Sequence, residues 1–198
     1  MPKSKRLKIF LIVGIVGFLF VFILLPMLGH AWRKRHPVNF PSVVSANQWK
    51  LFDSKEGKFR VLFPGTPETT NEISNFHDYE IVFHSTYVWA DRQTQYAVNF
   101  SDNPEIVERL NPQQQFDASQ KAVAEKFGGI VSQNDFKFGA YPARDFEFAV
   151  GGKGNFSGKI RLVLVDRRLY QIMVFFLTKN PHENDFKIFF DSFSAQKS

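Results

Sequence analysis

Cysteine is absent from all 198 residues, which excludes disulfide frameworks, thiolate zinc sites, cysteine nucleophiles and a lipid-modified N-terminal cysteine. Metal-ligand spacing is missing as well. The five histidines are His30, His36, His77, His84 and His182, and no two stand in a His-x-x-x-His or other recognised ligand pattern. No Gly-x-Ser-x-Gly elbow occurs, and Ser85 next to His84 on one strand has the wrong geometry for a nucleophile and its base. Gly151-Gly152-Lys153-Gly154 lacks the earlier glycine, the Ser/Thr after lysine and the following helix of a phosphate loop, and reads as a hairpin turn. There is no internal repeat and no low-complexity tract. From these absences we expect no catalytic residue, no cofactor and no metal.

Acid is missing from one stretch in particular. Residues 1–36 hold Lys3, Lys5, Arg6, Lys8, Arg33, Lys34 and Arg35 and no Asp or Glu, whereas the formal charge of the whole chain is +6. The other residues are therefore close to neutral. They lack the electrostatic excess that drives phosphate-backbone binding, so no nucleic-acid partner is expected. Arg161, Arg167 and Arg168 read as solvated turn charges.

Between those basic clusters, Ile9–Leu28 carries no charge and no strongly polar side chain. As a helix rising about 1.5 Å per residue it would match a bilayer's hydrocarbon core, roughly 30 Å. Cleavage after Gly29-His30-Ala31 would make it a signal peptide, but the run exceeds the usual apolar length and Trp32-Arg33-Lys34-Arg35 would follow the cut. The expectation is a retained single-pass signal anchor, with the bilayer as partner through Ile9–Leu28. The basic residues before it favour a cytoplasmic N-terminus and an extracytoplasmic domain. Gly14 and Gly17 stand three apart, not four, and imply no helix dimer.

The expected organisation is a basic segment over 1–8, a transmembrane helix over 9–32, a basic and Pro-containing linker over 33–46 and a globular domain over 47–198. Within that domain, Lys58–Phe63 alternates as a strand before Pro64-Gly65-Thr66-Pro67 turns the chain. Glu68–Phe76, Tyr79–Ala90 and Gln95–Ser101 form a meander. Pro104–Leu110 reads as a short helical turn. Asn111 then caps a helix opened by Pro112, with Phe116, Val123 and Phe127 on one face and Gly128-Gly129 as its stop. Strands resume at Ile130–Phe138, Pro142–Val150, Ser157–Val165 and Leu169–Leu177. The last is apolar at nearly every position, so both its faces should be covered. Asn180 and Pro181 would open a second helix whose Phe186, Phe189, Phe190 and Phe193 form a stripe for core packing. Strands, helix, strands, helix with hairpin joins give an α+β class, a mostly antiparallel sheet flanked by helices and preceded by a single N-terminal transmembrane helix.

Phe59-Arg60-Val61-Leu62-Phe63-Pro64-Gly65-Thr66-Pro67 resembles the F-x-V-x-F-P-x-x-P opening of many uncharacterised bacterial domains. So do Tyr141-Pro142-Ala143-Arg144-Asp145-Phe146, Arg168-Leu169-Tyr170-Gln171 and the closing Phe189-Phe190-Asp191-Ser192-Phe193. The order of elements over residues 59–193 is similar to the Mog1/PsbP-like α/β/α sandwich. That resemblance implies an accessory, assembly or binding role rather than an enzyme, and carries no catalytic motif onto this chain.

Several local features remain. His77-Asp78 reads as a solvated turn rather than a dyad, and His84 as a cross-strand partner within a long strand. Asp145 and Glu147 share a strand face opposite Arg144, an arrangement that reads as an exposed edge rather than an acid/base pair. Asn99-Phe100-Ser101 and Asn155-Phe156-Ser157 match the glycosylation acceptor pattern. Taken together, the sequence points to a non-catalytic binding or assembly domain presented at a membrane surface to an unidentified protein partner. A membrane-tethered hydrolase would need His84 or His77 beside Ser and carboxylate in a deep pocket. An apolar-ligand carrier, suggested by the Phe excess, would need an unfilled Phe-lined cavity.

Overall fold

The computed structural model describes residues 49–76, 79–91, 93–108, 110–150, 156–177 and 182–196. In chain order the elements are β1 (Trp49–Ser54), β2 (Phe59–Pro64), β3 (Glu68–Phe76), β4 (Tyr79–Trp89), β5 (Thr94–Asp102), α1 (Glu105–Glu108) and α2 (Pro112–Phe127). There follow β6 (Ile130–Phe138), β7 (Tyr141–Val150), β8 (Phe156–Val165), β9 (Arg168–Leu177), α3 (Glu183–Ser192) and β10 (Ser194–Ala195).

Seven strands form one sheet in the order β3-β4-β5-β9-β8-β7-β6, every neighbouring pair antiparallel. Two hairpin-linked sets meet at β5 and β9, and α2 carries the chain across the sheet from one set to the far edge of the other. A second, three-stranded sheet orders β1-β2-β10. β9 sits at the centre of the large sheet and is buried on both faces, which is why its sequence is apolar nearly throughout.

The two faces have separate cores. On one, Phe59, Val61 and Phe63 of β2 and Phe186, Phe189 and Phe193 pack against Tyr96, Val98, Tyr170 and Ile172 of the large sheet. On the other, Phe116, Val123 and Phe127 of α2 meet Phe146, Phe148, Leu162 and Met173. Each fully buried Phe contributes roughly 2–3 kcal/mol of transfer free energy, so aromatic content is what lets a chain of this size close two interfaces at once.

Local chemistry sets the boundaries. Asn111 accepts from the Gln114 N–H at 2.9 Å while Gln114 accepts from the Asn111 N–H at 3.2 Å, a reciprocal cap ahead of Pro112. Gly128 ends α2 at φ 128°, where any Cβ would meet the Ala149 carbonyl oxygen at 2.5 Å. The helix expected from Asn180 and Pro181 begins at Glu183 after His182, whose side chain makes no capping bond; Asn180 and Pro181 lie outside the described residues.

The membrane part of the expected architecture is corrected. Ile9–Leu28 lies outside the described residues, and among the described residues no helix is long and apolar enough to cross a membrane. The longest, α2, has 16 residues, about 24 Å, and carries Gln, Asp, Lys and Glu along its length. What the structure supports is the α+β sandwich of a mostly antiparallel sheet and helices, with no spanning helix among the described residues. The readings that stood on the anchor are withdrawn with it: the bilayer as partner, single-pass topology, the extracytoplasmic placement and presentation at a membrane surface.

Candidate functional site

The face under α2 is crossed by a row of directly paired residues, one from each strand: Thr70, Ser85, Asn99, Gln171, Leu162, Arg144 and Asp135. All but Leu162 are polar. Ser85 donates to Asn99 at 2.7 Å within the buried part of the row. Arg144 is 3% exposed and all five of its N–H groups are engaged. Nε and Nη2 bind the Asp135 carboxylate at 2.6 and 3.1 Å; Nη1 donates to Asp117 and Gln120; Nη2 also donates to Gln113. Three of those partners are on α2, so Arg144 clamps the helix to the sheet. A guanidinium with no donor left over is a structural fastening, not an anion receptor.

The open face of the same strands is different. Beside α3, a cavity of about 320 Å³ is lined by Ser132 and Asn134 of β6, Asp145 and Glu147 of β7, Lys159 of β8 and Phe190 of α3, with Gln133, Phe146 and Ile160 completing it. Its charges answer one another across the β7–β8 register, where Asp145 opposes Arg161 and Glu147 opposes Lys159. Arg161 grips both Asp145 oxygens at 2.8 and 2.9 Å, donates to the Phe190 carbonyl at 3.2 Å, and lies between the Phe136 and Phe190 rings. Lys159 reaches Glu147 at 3.1 Å and Glu183 at 2.8 Å. Burial works to lower the Lys159 pKa, and its bonds to the two glutamates outweigh that, so the ammonium is held above its usual value.

The local readings fare unevenly. His84 is the cross-strand partner expected of it: it faces Phe100 in the register and stacks on that ring at 4.4 Å, with Nδ1 3.5 Å from Glu56. Ser85 points to the other face, toward Asn99, so the two do not form a nucleophile and base. Among the described residues no three His, Asp or Glu side chains converge as a metal site. Asn99 is buried and bonded, which leaves that glycosylation acceptor out of reach in the folded chain. His77, Asp78, Gly151–Gly154 and Asn155 lie outside the described residues.

Two of the arginines are a correction. Arg161 is in mid-strand and Arg168 binds Asp102 through Nε and Nη2 at 2.7 and 2.8 Å, so neither is a solvated turn charge; Arg167 is one, exposed in the β8–β9 turn while donating to the Asn103 carbonyl. Nor are Asp145 and Glu147 on an edge, because β7 is paired on both sides. The groove as a whole was missed. Its signal was present in the alternation of Asp145 and Glu147 against Lys159 and Arg161, which becomes an ion-pair ladder only once the hairpin register is known. Among the described residues the Phe rings of the interior pack on one another, with ring centroids such as Phe176–Phe186 at 4.7 Å and Tyr96–Phe189 at 5.1 Å.

No protein-family model matches the chain, and no curated protein matches it in sequence. Among solved structures, the fold is similar to the solution structure of cyanobacterial PsbP (CyanoP) from Synechocystis sp. PCC 6803, at 10% identity and a TM-score of 0.55. The match covers 80% of this chain and 99% of that one. The expected PsbP-like resemblance is therefore present at the level of the fold.

Proposed function

We propose that residues 47–198 form a non-catalytic binding domain whose recognition surface is the groove between α3 and the β6–β8 strands. The observation that carries this reading is the Asp145–Arg161 pair, in which both carboxylate oxygens are bound. A carboxylate held in that way is poor as a general base, while the exposed edges of the ladder, Ser132, Asn134 and the Phe190 ring, offer polar and aromatic contact to a protein surface. The volume of about 320 Å³ lies at the small end of ligand sites, so contact with a side chain or two of a partner suits it better than enclosure of a whole ligand. The PsbP-like fold supports the reading, since its resemblance implies binding or assembly rather than turnover.

The test is a photoreactive residue placed in the full chain at Asn134, with Glu125 on the exposed side of α2 as control. A discrete crosslinked species from position 134 alone supports the groove. Equal crosslinking from both positions, or hydrolytic turnover that purifies with the chain and is lost in Asp145→Asn, overturns it.

A further inference from the structure

The two edges of the large sheet are unequal. β6, at one edge, is interrupted by a bulge between Ile130 and Ser132 and carries Lys137. Both are devices that discourage another strand from adding to an edge. β3, at the other edge, has neither. Its nine residues, Glu68–Phe76, contain no Lys, Arg or Pro, and their register with β4 is unbroken. Among the described residues nothing pairs with its outer side.

This strand also reaches beyond the sheet. β4 pairs with β5 only from His84 onward, while the β3–β4 ladder continues for five more pairs, from Glu72–Phe83 to Phe76–Tyr79. At about 3.4 Å per residue that is a two-stranded arm of roughly 17 Å. Ile81 on one face of the arm is anchored by Val107 of α1. On the other face Ile73, opposite Val82, is 59% exposed. The charge of this hairpin has one sign: Glu72 and Glu80 fall within the arm and Glu68 lies on β3 just before it, and no Lys or Arg occurs anywhere in residues 68–91. One oxygen of Glu72, Oε2, is buried without a hydrogen-bond partner, and burial pushes that carboxyl up. A cation from an added strand would supply what this oxygen lacks.

We propose that the outer edge of β3 accepts an extended, basic segment of a partner protein as an eighth strand. Main-chain hydrogen bonds along β3 provide the attachment, Lys or Arg beside Glu68 and Glu72 the charge complement, and an apolar residue beside Ile73 the contact on the opposite face. This surface is distinct from the groove, which lies at the far side of the sheet.

The probe is a nine-residue peptide of alternating Lys and Val, titrated into the full chain and read by backbone amide exchange. Slowed exchange along β3 is expected, with binding weakened about tenfold or more when alternate peptide amides are N-methylated, because strand pairing is then blocked with the charges intact. Glu72→Gln is expected to weaken binding about threefold and to reduce its salt dependence. Four results overturn the proposal: no protection of β3, equal binding by the N-methylated or a Glu/Val peptide, protection that appears with protein concentration alone and so marks a second copy, or protection present without peptide and lost in the Arg33→Gln/Lys34→Gln/Arg35→Gln chain, which would assign the edge to this chain's own basic segment.

Discussion

Arg144 and Asp135 are direct partners across β7 and β6, joined at 2.6 Å, and they differ sharply in environment. The guanidinium is 3% exposed whereas the carboxylate is 37% exposed. Asp117, the helix-side partner, is more exposed still. Removing the arginine therefore leaves carboxylates that water can reach, but it also strands the buried amide of Gln120 and unfastens α2. Arg144→Met is expected to destabilise by about 2–3 kcal/mol, below the range for breaking a fully buried pair. Asp117→Asn should cost under about 1 kcal/mol. Urea unfolding of both variants measures the difference, and equal losses would contradict the clamp.

Acid should act through the same contacts. The hydrogen bond from Arg144 holds the Asp135 carboxyl below its ordinary value, against an opposing contribution from burial. Arg168 does the same for Asp102, again against burial. A carboxyl depressed on folding contributes stability that is complete above its unfolded pKa and is lost as pH falls through the folded one. The urea midpoint should thus be level down to about pH 5 and decline below about pH 4. In an Arg144→Met/Arg168→Met chain that acid decline should be shallower; an unchanged slope would locate the acid sensitivity elsewhere.

Much of this architecture is legible in the residues, and the exceptions have physical causes. Alternation and turn chemistry mark β2 to β9, and Asn111, Pro112 and Gly128 bracket α2 because caps are local interactions. β1 escaped because Trp49, Leu51 and Phe52 do not alternate, and Leu51 is in fact 64% exposed. β10 has two residues and exists through its pairing with Arg60 and Phe59. The roles of Arg144, Arg161 and Arg168 depend on register and on a helix arriving from elsewhere, which no window of neighbouring residues contains. The same holds for the groove, whose lining comes from four separate elements.

Gly158 offers a test of packing rather than charge. It sits in β8 opposite both Phe148 and Phe175, and a Cβ there would meet the Phe148 ring at 2.4 and 2.5 Å. That ring is fully buried and stacks on Phe127, so it has nowhere to retreat. Gly158→Ala is expected to destabilise by about 1–3 kcal/mol through overpacking, although alanine would otherwise favour the strand over glycine. Gly158→Ala combined with Phe148→Leu should recover part of the loss in thermal unfolding. No recovery would mean that backbone, not ring, is the obstacle.

The β1–β2 turn is tied to the large sheet by two neighbouring residues. Tyr170 donates to the Gly57 carbonyl at 2.7 Å, and Arg168, two residues before it at the start of β9, donates to the Glu56 carbonyl at 2.8 Å. Tyr170 is buried, so Tyr170→Phe leaves an acceptor short of its donor and should cost about 1–2 kcal/mol. Arg168→Met should cost less on its own, since Asp102 stays largely in water. Because the two donors hold adjacent carbonyls of one turn, their losses should not add. The double variant is expected to depart from additivity by about 0.5 kcal/mol or more, with faster amide exchange over residues 55–58 while α2 is unaffected. Additive losses would show that the turn keeps its place through Phe59 and its aromatic neighbours alone.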